Sequence, residues 1–265
     1  MTPKLNAGVS LTVSNAVATI LFDRKHARNA MLFDTWCKLR EFIEKADNDP
    51  QVRVLVLRGA GGHFGAGNDI SEFGHLRGDA AGARAYGWAM ADAMRAVETS
   101  AKPVIVAIEG VCFGASVALA LAADIRFAAE NTTYAITPAK LGALYLRSDH
   151  HRLVAAIGPG RARRMIFSAE TLNAARANEI GLIDLVVSQD HFDATLKALT
   201  DRILRGSAYT LHHAKRILRS VGTGETPAET DESIGWFVEA MLGEDFAEGV
   251  AAFLSKRPPR FSSAT

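Results

Sequence analysis

Cysteine is scarce: Cys37 and Cys112 are the only two in 265 residues. They lie far apart and outside any C-x-x-C or Cys/His spacing. That excludes a disulfide framework and a zinc site, and it reads as reduced structural thiols. Neither sign of charge is in excess, with 30 Lys and Arg against 29 Asp and Glu and a formal charge of +1. The balance supplies no electrostatic reason to expect nucleic acid or an anionic membrane as partner. The apolar run Val117 to Ala123 falls far short of the ~20 residues that span a bilayer. The N-terminus, MTPKLNAGVSLTV, has no basic region followed by an apolar run, so no signal peptide is expected. These absences lead to the expectation of a soluble, cytoplasmic protein. There is no G-x-x-x-x-G-K-[ST] loop. Nor does a G-x-G-x-x-G follow a strand with the acid that a dinucleotide would want. Nucleotide phosphates are therefore disfavoured, and no metal or resident cofactor is expected.

What is present is a large apolar fraction, 48%, enough to bury a sizeable core. One main α/β unit with an appendage is expected, with the core over residues 1–189 and a helical region over 190–265. The chain is organised around the stretch from Pro103 to Tyr145. Val104 to Ile108 reads as a buried strand, Gly110 to Gly114 as a glycine turn, and Val117 to Ala123 as a short core helix. A strand, glycine turn and helix in that order point free backbone N–H groups out of a helix N-terminus. A second such turn runs from Gly59 to Asp69, after the buried strand Val52 to Leu57. Two of these turns facing each other would make a place for a developing negative charge, as on the carbonyl oxygen of an ester or thioester.

The remaining chain reads coherently around that pair. Val9 to Val13 and Val17 to Phe22 give a hairpin signal across Ser14-Asn15. Leu32, Trp36, Leu39 and Ile43 fall at helical spacing within Met31 to Ala46, and Tyr86, Met90, Met94 and Val97 do so within Ala80 to Glu98. Further helices are expected over 150–156, 161–167 and 173–180, with a break at Gly158-Pro-Gly160 and a cap at Gly181. Leu182 to Val187 reads as a last strand. Helices then follow over 192–204, 208–221, 228–242 and 246–254. The end, Pro258-Pro259 and Phe261 to Thr265, reads as low complexity.

Phe64-Gly-Ala-Gly-Asn-Asp-Ile70 and Gly110-Val-Cys-Phe-Gly-Ala-Ser116 resemble the two oxyanion-hole motifs of the crotonase, or enoyl-CoA hydratase/isomerase, superfamily. Asp23-Arg-Lys-His-Ala-Arg-Asn-Ala30 resembles its early CoA-binding loop. Ile180-Gly-Leu-Ile-Asp184 and Glu248 to Arg257 resemble its later segments, so the resemblance covers nearly the whole chain. It implies a spiral of ββα turns, a C-terminal helical region that forms a homotrimer or dimer of trimers, and a coenzyme A thioester as substrate. By position, the N–H groups of Asn68 and Ala115 would form the oxyanion hole. Lys25, Ala27, Ala66, Asp69 and Ile70 would lie along the CoA. Phe253 and Lys256 would approach its adenine and phosphates, including those of a neighbouring subunit.

The family's hydratases resemble one another in two glutamates, and here those positions are Ala118 and Pro138. Neither residue can transfer a proton, so two-carboxylate water addition lacks its usual groups. Thr137-Pro-Ala-Lys-Leu-Gly142 with Tyr145 resembles the corresponding stretch of methylmalonyl-CoA decarboxylases. That likeness implies an enolate formed by loss of carbon dioxide, with Tyr145 holding the carboxylate or supplying a proton and Thr137 positioning one of them. Asn68 departs from it, standing where that group resembles a histidine, and its amide would be the added donor there. Three other readings stay open: a hydratase or isomerase recruiting Asp149 or His150, a non-catalytic acyl-CoA binder, and a hydrolase using Ser116, since Clp-type serine proteases share the spiral. The plainer readings are an N-capping Asp149 with solvent-facing His150 and His151, an exposed His63, a Glu109 facing elsewhere, and a helix-capping Ser116.

Overall fold

The computed structural model describes residues 7–222 and 228–261. The first six residues of the N-terminus and the last four of the low-complexity end lie outside them. Strands β1 (Val9–Ser14) and β2 (Val17–Phe22) form an antiparallel hairpin. Its turn residues, Asn15 and Ala16, have φ of 50° and 62°, the left-handed pair that suits the twist of a two-residue hairpin. Ser14 itself pairs with Val17 rather than turning.

The sheet continues with β3 (Val54–Gly59), β4 (Val104–Ile108), β6 (Ile125–Ala129) and β9 (Leu185–Val187), in the order β1-β2-β3-β4-β6-β9. From β2 onward every pairing in it is parallel. Wholly apolar strands such as β4 are expected where both faces of a parallel sheet are covered. Leu55, Leu57, Val104, Val106 and Ile108 face one core with Trp36, Leu39 and Met94. Val54, Val56, Ile105, Ala107 and Phe127 face the other with Phe192 and Leu196.

Helices α1 (Phe33–Asp47), α3 (Ala80–Thr99) and α4 (Ala115–Ala122) cover the first face, and α9 (Phe192–Leu204) covers the second. The Phe127 and Phe192 rings stand 4.8 Å apart. Although the sequence assigns α9 to the region after residue 190, it belongs to the layered core. One turn of helix, α2 (Phe73–Leu76), precedes α3.

A second sheet was not legible: β5 (Val111–Phe113), β7 (Thr133–Ala135) and β8 (Thr171–Asn173). Strands of three residues are too short to show a period. Gly110 to Gly114 is accordingly not one turn but two glycines bracketing β5. The short helix α5 (Pro138–Leu141) leads to α6 (Arg147–Ile157) and α7 (Pro159–Ser168). The expected break between them is a junction. Gly158 caps both helices and Pro159 opens α7, where a missing N–H removes no helical bond. Asn173 caps α8 (Ala174–Glu179) by accepting the Arg176 N–H at 2.9 Å.

The tail comprises α10 (Ala208–Gly222), α11 (Asp231–Leu242) and α12 (Glu244–Leu254). Lys215 ties α10 to the core through Asp124, at 2.8 Å. Among the described residues no helix is long and apolar enough to cross a membrane.

Candidate active site

The two glycine segments lie side by side. The Phe64 N–H donates to the Glu109 carbonyl at 2.8 Å, Gly65 N–H to Val111 at 3.0 Å, and Phe113 N–H back to Gly65 at 2.9 Å. The early polar loop flanks them. Ala66 N–H donates to the Arg28 carbonyl at 2.9 Å, Met31 N–H to Gly67 at 2.7 Å, and Asp69 N–H to Met31 at 2.8 Å. Glycine is required at the closest approach. Gly67 has φ +96°, and a Cβ there would lie 2.9 Å from the Phe113 oxygen and 3.2 Å from the Ala115 nitrogen. Gly114, at φ 52° and ψ −125°, adopts a conformation that L side chains rarely reach.

The N–H groups of Asn68 and Ala115 find no acceptor among the described residues, and neither does that of Ser116 in the first turn of α4. Ala115 opens α4, where the first N–H groups have no intrahelical carbonyl and the helix dipole is positive. The two residues singled out from the sequence are therefore brought together as unspent backbone donors. Such a pair can stabilise a carbonyl oxygen as it takes up negative charge.

The side chains around the crossing behave differently from expectation. Ser116 is fully buried, and its Oγ accepts the Gly67 N–H at 3.1 Å. It fastens one turn to the other, so the hydrolase reading loses its nucleophile. The Tyr145 hydroxyl donates to the Gly114 carbonyl. Burial, reinforced by the Asp149 carboxylate and the Cys112 thiol, pushes its pKa well up. A phenol so placed is neither a ready acid nor a free clamp for a substrate carboxylate, which corrects the role expected of it. The Asn68 amide adds no donor to the crossing either. Its Oδ1 accepts the Trp36 indole N–H at 2.9 Å and its Nδ2 donates to the Met90 sulfur at 3.4 Å. Trp36 is fully buried and its N–H needs such a partner.

Thr137 stands at the N-cap of α5, with its Oγ1 3.6 Å from where a Gly114 Cβ would be. It makes no side-chain hydrogen bond among the described residues. Ala118 is fully buried in α4, and Pro138 opens α5. Asp149 lies behind Tyr145, 1% exposed, where it accepts the Leu146 N–H at 3.2 Å and pairs with Arg152 at 3.2 Å. Burial raises its pKa, and the Arg152 charge only partly opposes this. Asp149 is thus not the N-cap but stands in the first turn of α6 and reaches back to the Leu146 N–H at the N-cap, and the histidine beside it is half-buried rather than solvent-facing. The His150 ring packs edge-on against Tyr145 at 5.9 Å, while His151 is exposed. His63 accepts the Val111 N–H at 3.3 Å and so joins the pairing of the segments. The Glu109 carboxylate turns away to Arg58 and Gln189, at 2.9 and 2.8 Å.

On the outer side, Lys25 is exposed and its stem lies over Gly61, where a Cβ would come within 2.9 Å of Cγ. Ala27 is half-buried and Ile70 is 61% exposed. Asp69 pairs with Arg24 at 2.9 Å. Burial works to raise the Asp69 pKa, but hydrogen bonds from Ser71 and Arg24 outweigh it and hold the carboxyl below its usual range. Lys25, Ala27, Ala66, Asp69 and Ile70 thus share one rim. Phe253, 83% exposed, and Lys256 belong to the tail around α12, which packs on α11. The sequence reading missed Asn29. Buried in a left-handed conformation at φ 57°, it donates to the Ala60 and His63 carbonyls at 2.9 and 2.6 Å and locks the loop to the glycine segment. An Asn inside a polar loop was the available signal, because Asn tolerates that conformation.

The family model described as enoyl-CoA hydratase/isomerase matches residues 12–264. A crotonyl-CoA hydratase of Syntrophomonas wolfei is 29% identical over 96% of this chain and 98% of its own length. A short-chain-enoyl-CoA hydratase of Clostridium acetobutylicum is 30% identical over 94% of this chain and 95% of its own. Among solved structures, an enoyl-CoA hydratase/isomerase family protein from Hyphomonas neptunium superposes with a TM-score of 0.92 at 36% identity, covering 97% of this chain and 98% of that one.

Proposed function

The chain belongs to the enoyl-CoA hydratase/isomerase family, and from that premise we propose that it converts an acyl-CoA thioester through an enolate held by the N–H groups of Asn68 and Ala115. The observation that carries this reading is that these two donors, on separate turns, are unspent while the N–H groups of Gly67, Asp69 and Gly114 beside them are bonded. The thioester oxygen sits between them, and the CoA runs along the rim of Lys25, Ala27, Ala66, Asp69 and Ile70.

The reaction that suits the surrounding side chains best is decarboxylation of a malonyl-type thioester. The bond between Cα and the carboxylate breaks, its electron pair enters the enolate, and carbon dioxide leaves. A water proton then adds to Cα. This sequence needs no side-chain base, which agrees with Ala118 and Pro138. Thr137, with its free hydroxyl beside Gly114, is the group that orients the water. Hydration is the second reading, favoured by the names of the relatives, and it requires an acid from outside those two positions.

Incubation with methylmalonyl-CoA and with crotonyl-CoA, each followed by mass, separates the two. Loss of carbon dioxide from the first without water gain by the second is expected. Rapid hydration of crotonyl-CoA would overturn the preference, and tight binding of both without turnover would make the protein a binder. The tail leaves Phe237, Leu242, Phe253 and Leu254 between 62% and 83% exposed. Further copies of the chain cover them in this proposal, as a trimer or dimer of trimers that carries Phe253 and Lys256 to a neighbour's CoA. Light scattering of the purified protein tests it, and a monomer would refute it.

A further inference from the structure

The two donor peptides are held at their carbonyl ends by different means. A trans peptide points its C=O and its N–H in opposite directions. The Asn68 N–H shares a peptide with the Gly67 carbonyl, which accepts the Met31 N–H at 2.7 Å. The Ala115 N–H shares a peptide with the Gly114 carbonyl. That oxygen accepts the Val117 N–H at 3.0 Å and the Ala118 N–H at 3.4 Å, both from α4 itself, and the Tyr145 hydroxyl from outside it. Gly114, like Gly67, has no Cβ to restrict its ψ, so the orientation of the peptide after it depends on what holds its carbonyl. A rotation would swing the Ala115 N–H away from the site.

We propose that Tyr145 is a positioning residue: its hydroxyl, anchored on the Gly114 carbonyl, fixes the plane of the Gly114–Ala115 peptide and strengthens the Ala115 N–H as a donor to the thioester oxygen. The proposal rests on the oxyanion reading above and assigns Tyr145 no contact with substrate. Three observations carry it. The hydroxyl has its proton directed at backbone, not at open space. The surroundings are dry, with Tyr145 9% exposed and Ser116 and Ala118 fully buried, and a hydrogen bond is electrostatically stronger in such a medium. Donation to a carbonyl also polarises the same peptide's N–H, by roughly 10–30% per bond in a hydrogen-bonded chain. Tyr145 lies between α5 and α6, four residues from Leu141 at the end of α5 and two before Arg147 at the start of α6. The segment carrying it therefore links the Thr137 end of the site to the oxyanion donor.

The test uses acetyl-CoA labelled with carbon-13 at the carbonyl, an acyl group with no carboxylate to lose. Its infrared stretch, bound to the full-length protein, reads the strength of the two donors directly. In wild type the band moves to lower frequency on binding. In Tyr145→Phe, which removes only the hydroxyl, the shift shrinks while the dissociation constant changes less than about threefold. With a turned-over thioester, kcat falls ~10-fold to ~100-fold and KM stays within about threefold. This is less than the ~10²–10³ that follows loss of an oxyanion donor itself, because the N–H remains. A purely structural tyrosine would lower the melting temperature and leave the band where it was, and that result overturns the proposal. Should Tyr145→Phe fail to fold, fluorotyrosines at position 145 keep it decidable. A more acidic phenol donates more strongly, so the shift must grow with each fluorine, and an unchanged band is again fatal. A normal wild-type shift without carbon dioxide release would defeat the decarboxylase reading alone. Absence of any shift in wild type would defeat the oxyanion reading and this one together.

Discussion

The turn at Gly67–Asn68 and the turn at Gly114–Ala115 present the same group, one free N–H each, yet are built on different supports. The first is held by backbone on both sides: Met31 reaches the Gly67 carbonyl, and Met31 accepts from Asp69. Only glycine fits at its centre, since a Cβ would press on Phe113 and Ala115. The second opens a helix and has room for a Cβ, whose nearest neighbour would be Thr137 at 3.6 Å. Its support from outside the helix comes from the Tyr145 side chain. A donor whose peptide is held by main chain alone is insensitive to most substitutions, while one whose peptide is held in part by a side chain can be tuned by a single exchange. The same site therefore has a fixed half and an adjustable half.

The strongest way to break that contrast is Gly67→Ala. The added methyl group must push the Phe113–Ala115 segment away, and φ of +96° is strained for alanine. A loss of ~10²–10³ in kcat is expected, the range for removal of an oxyanion donor, read by steady-state kinetics. Retention of most activity would mean that the first turn is not rigid. Ser116→Ala comes next, because it leaves the Gly67 N–H buried without its acceptor. Denaturant unfolding should show a loss of about 1–3 kcal/mol, the cost of an orphaned buried group, and an unchanged midpoint would deny the fastening. Asn68→Ala keeps the backbone donor and strips the acceptor from Trp36. Stability should fall by about 1 kcal/mol, with kcat less affected than in either preceding variant. A larger catalytic loss would assign the amide a direct role.

The smallest effect concerns pH. Burial raises the Asp149 carboxyl in the folded state, so between the ordinary aspartate pKa of about 4 and the raised value the folded chain binds more protons than the unfolded one. Stability contributed by this group is therefore full below the ordinary value and declines as pH rises through the raised one. Subtracting the unfolding free energies of Asp149→Asn from those of wild type at several pH values should give a curve that falls with rising pH. A rising difference would reverse the assignment.

Much of this could be read from residues alone. The all-apolar run Val104 to Ile108, the helical spacing of Trp36, Leu39 and Ile43, and the glycines of both segments were strong local signals, and each was found where expected. Less legible were β5, β7 and β8, whose three residues carry no period, and Asn29, whose contribution depends on a neighbour more than thirty residues away in the glycine segment. The roles of Ser116 and Tyr145 were misread for a related cause. A serine at a helix start and a tyrosine in a loop are chemically able to react, and nothing in their own neighbourhood says that their oxygens are already engaged.

By itself the sequence determined the α/β plan, the two glycine segments, and the lack of a carboxylate at positions 118 and 138, because these follow from side-chain size, periodicity and chemical type along the chain. Only the tertiary structure decided which N–H groups remain unspent and which side chains hold them. Hydrogen-bond satisfaction is a property of what lies across the fold, and Gly67 meets Ser116, or Gly114 meets Tyr145, only after the sheet and α4 have packed.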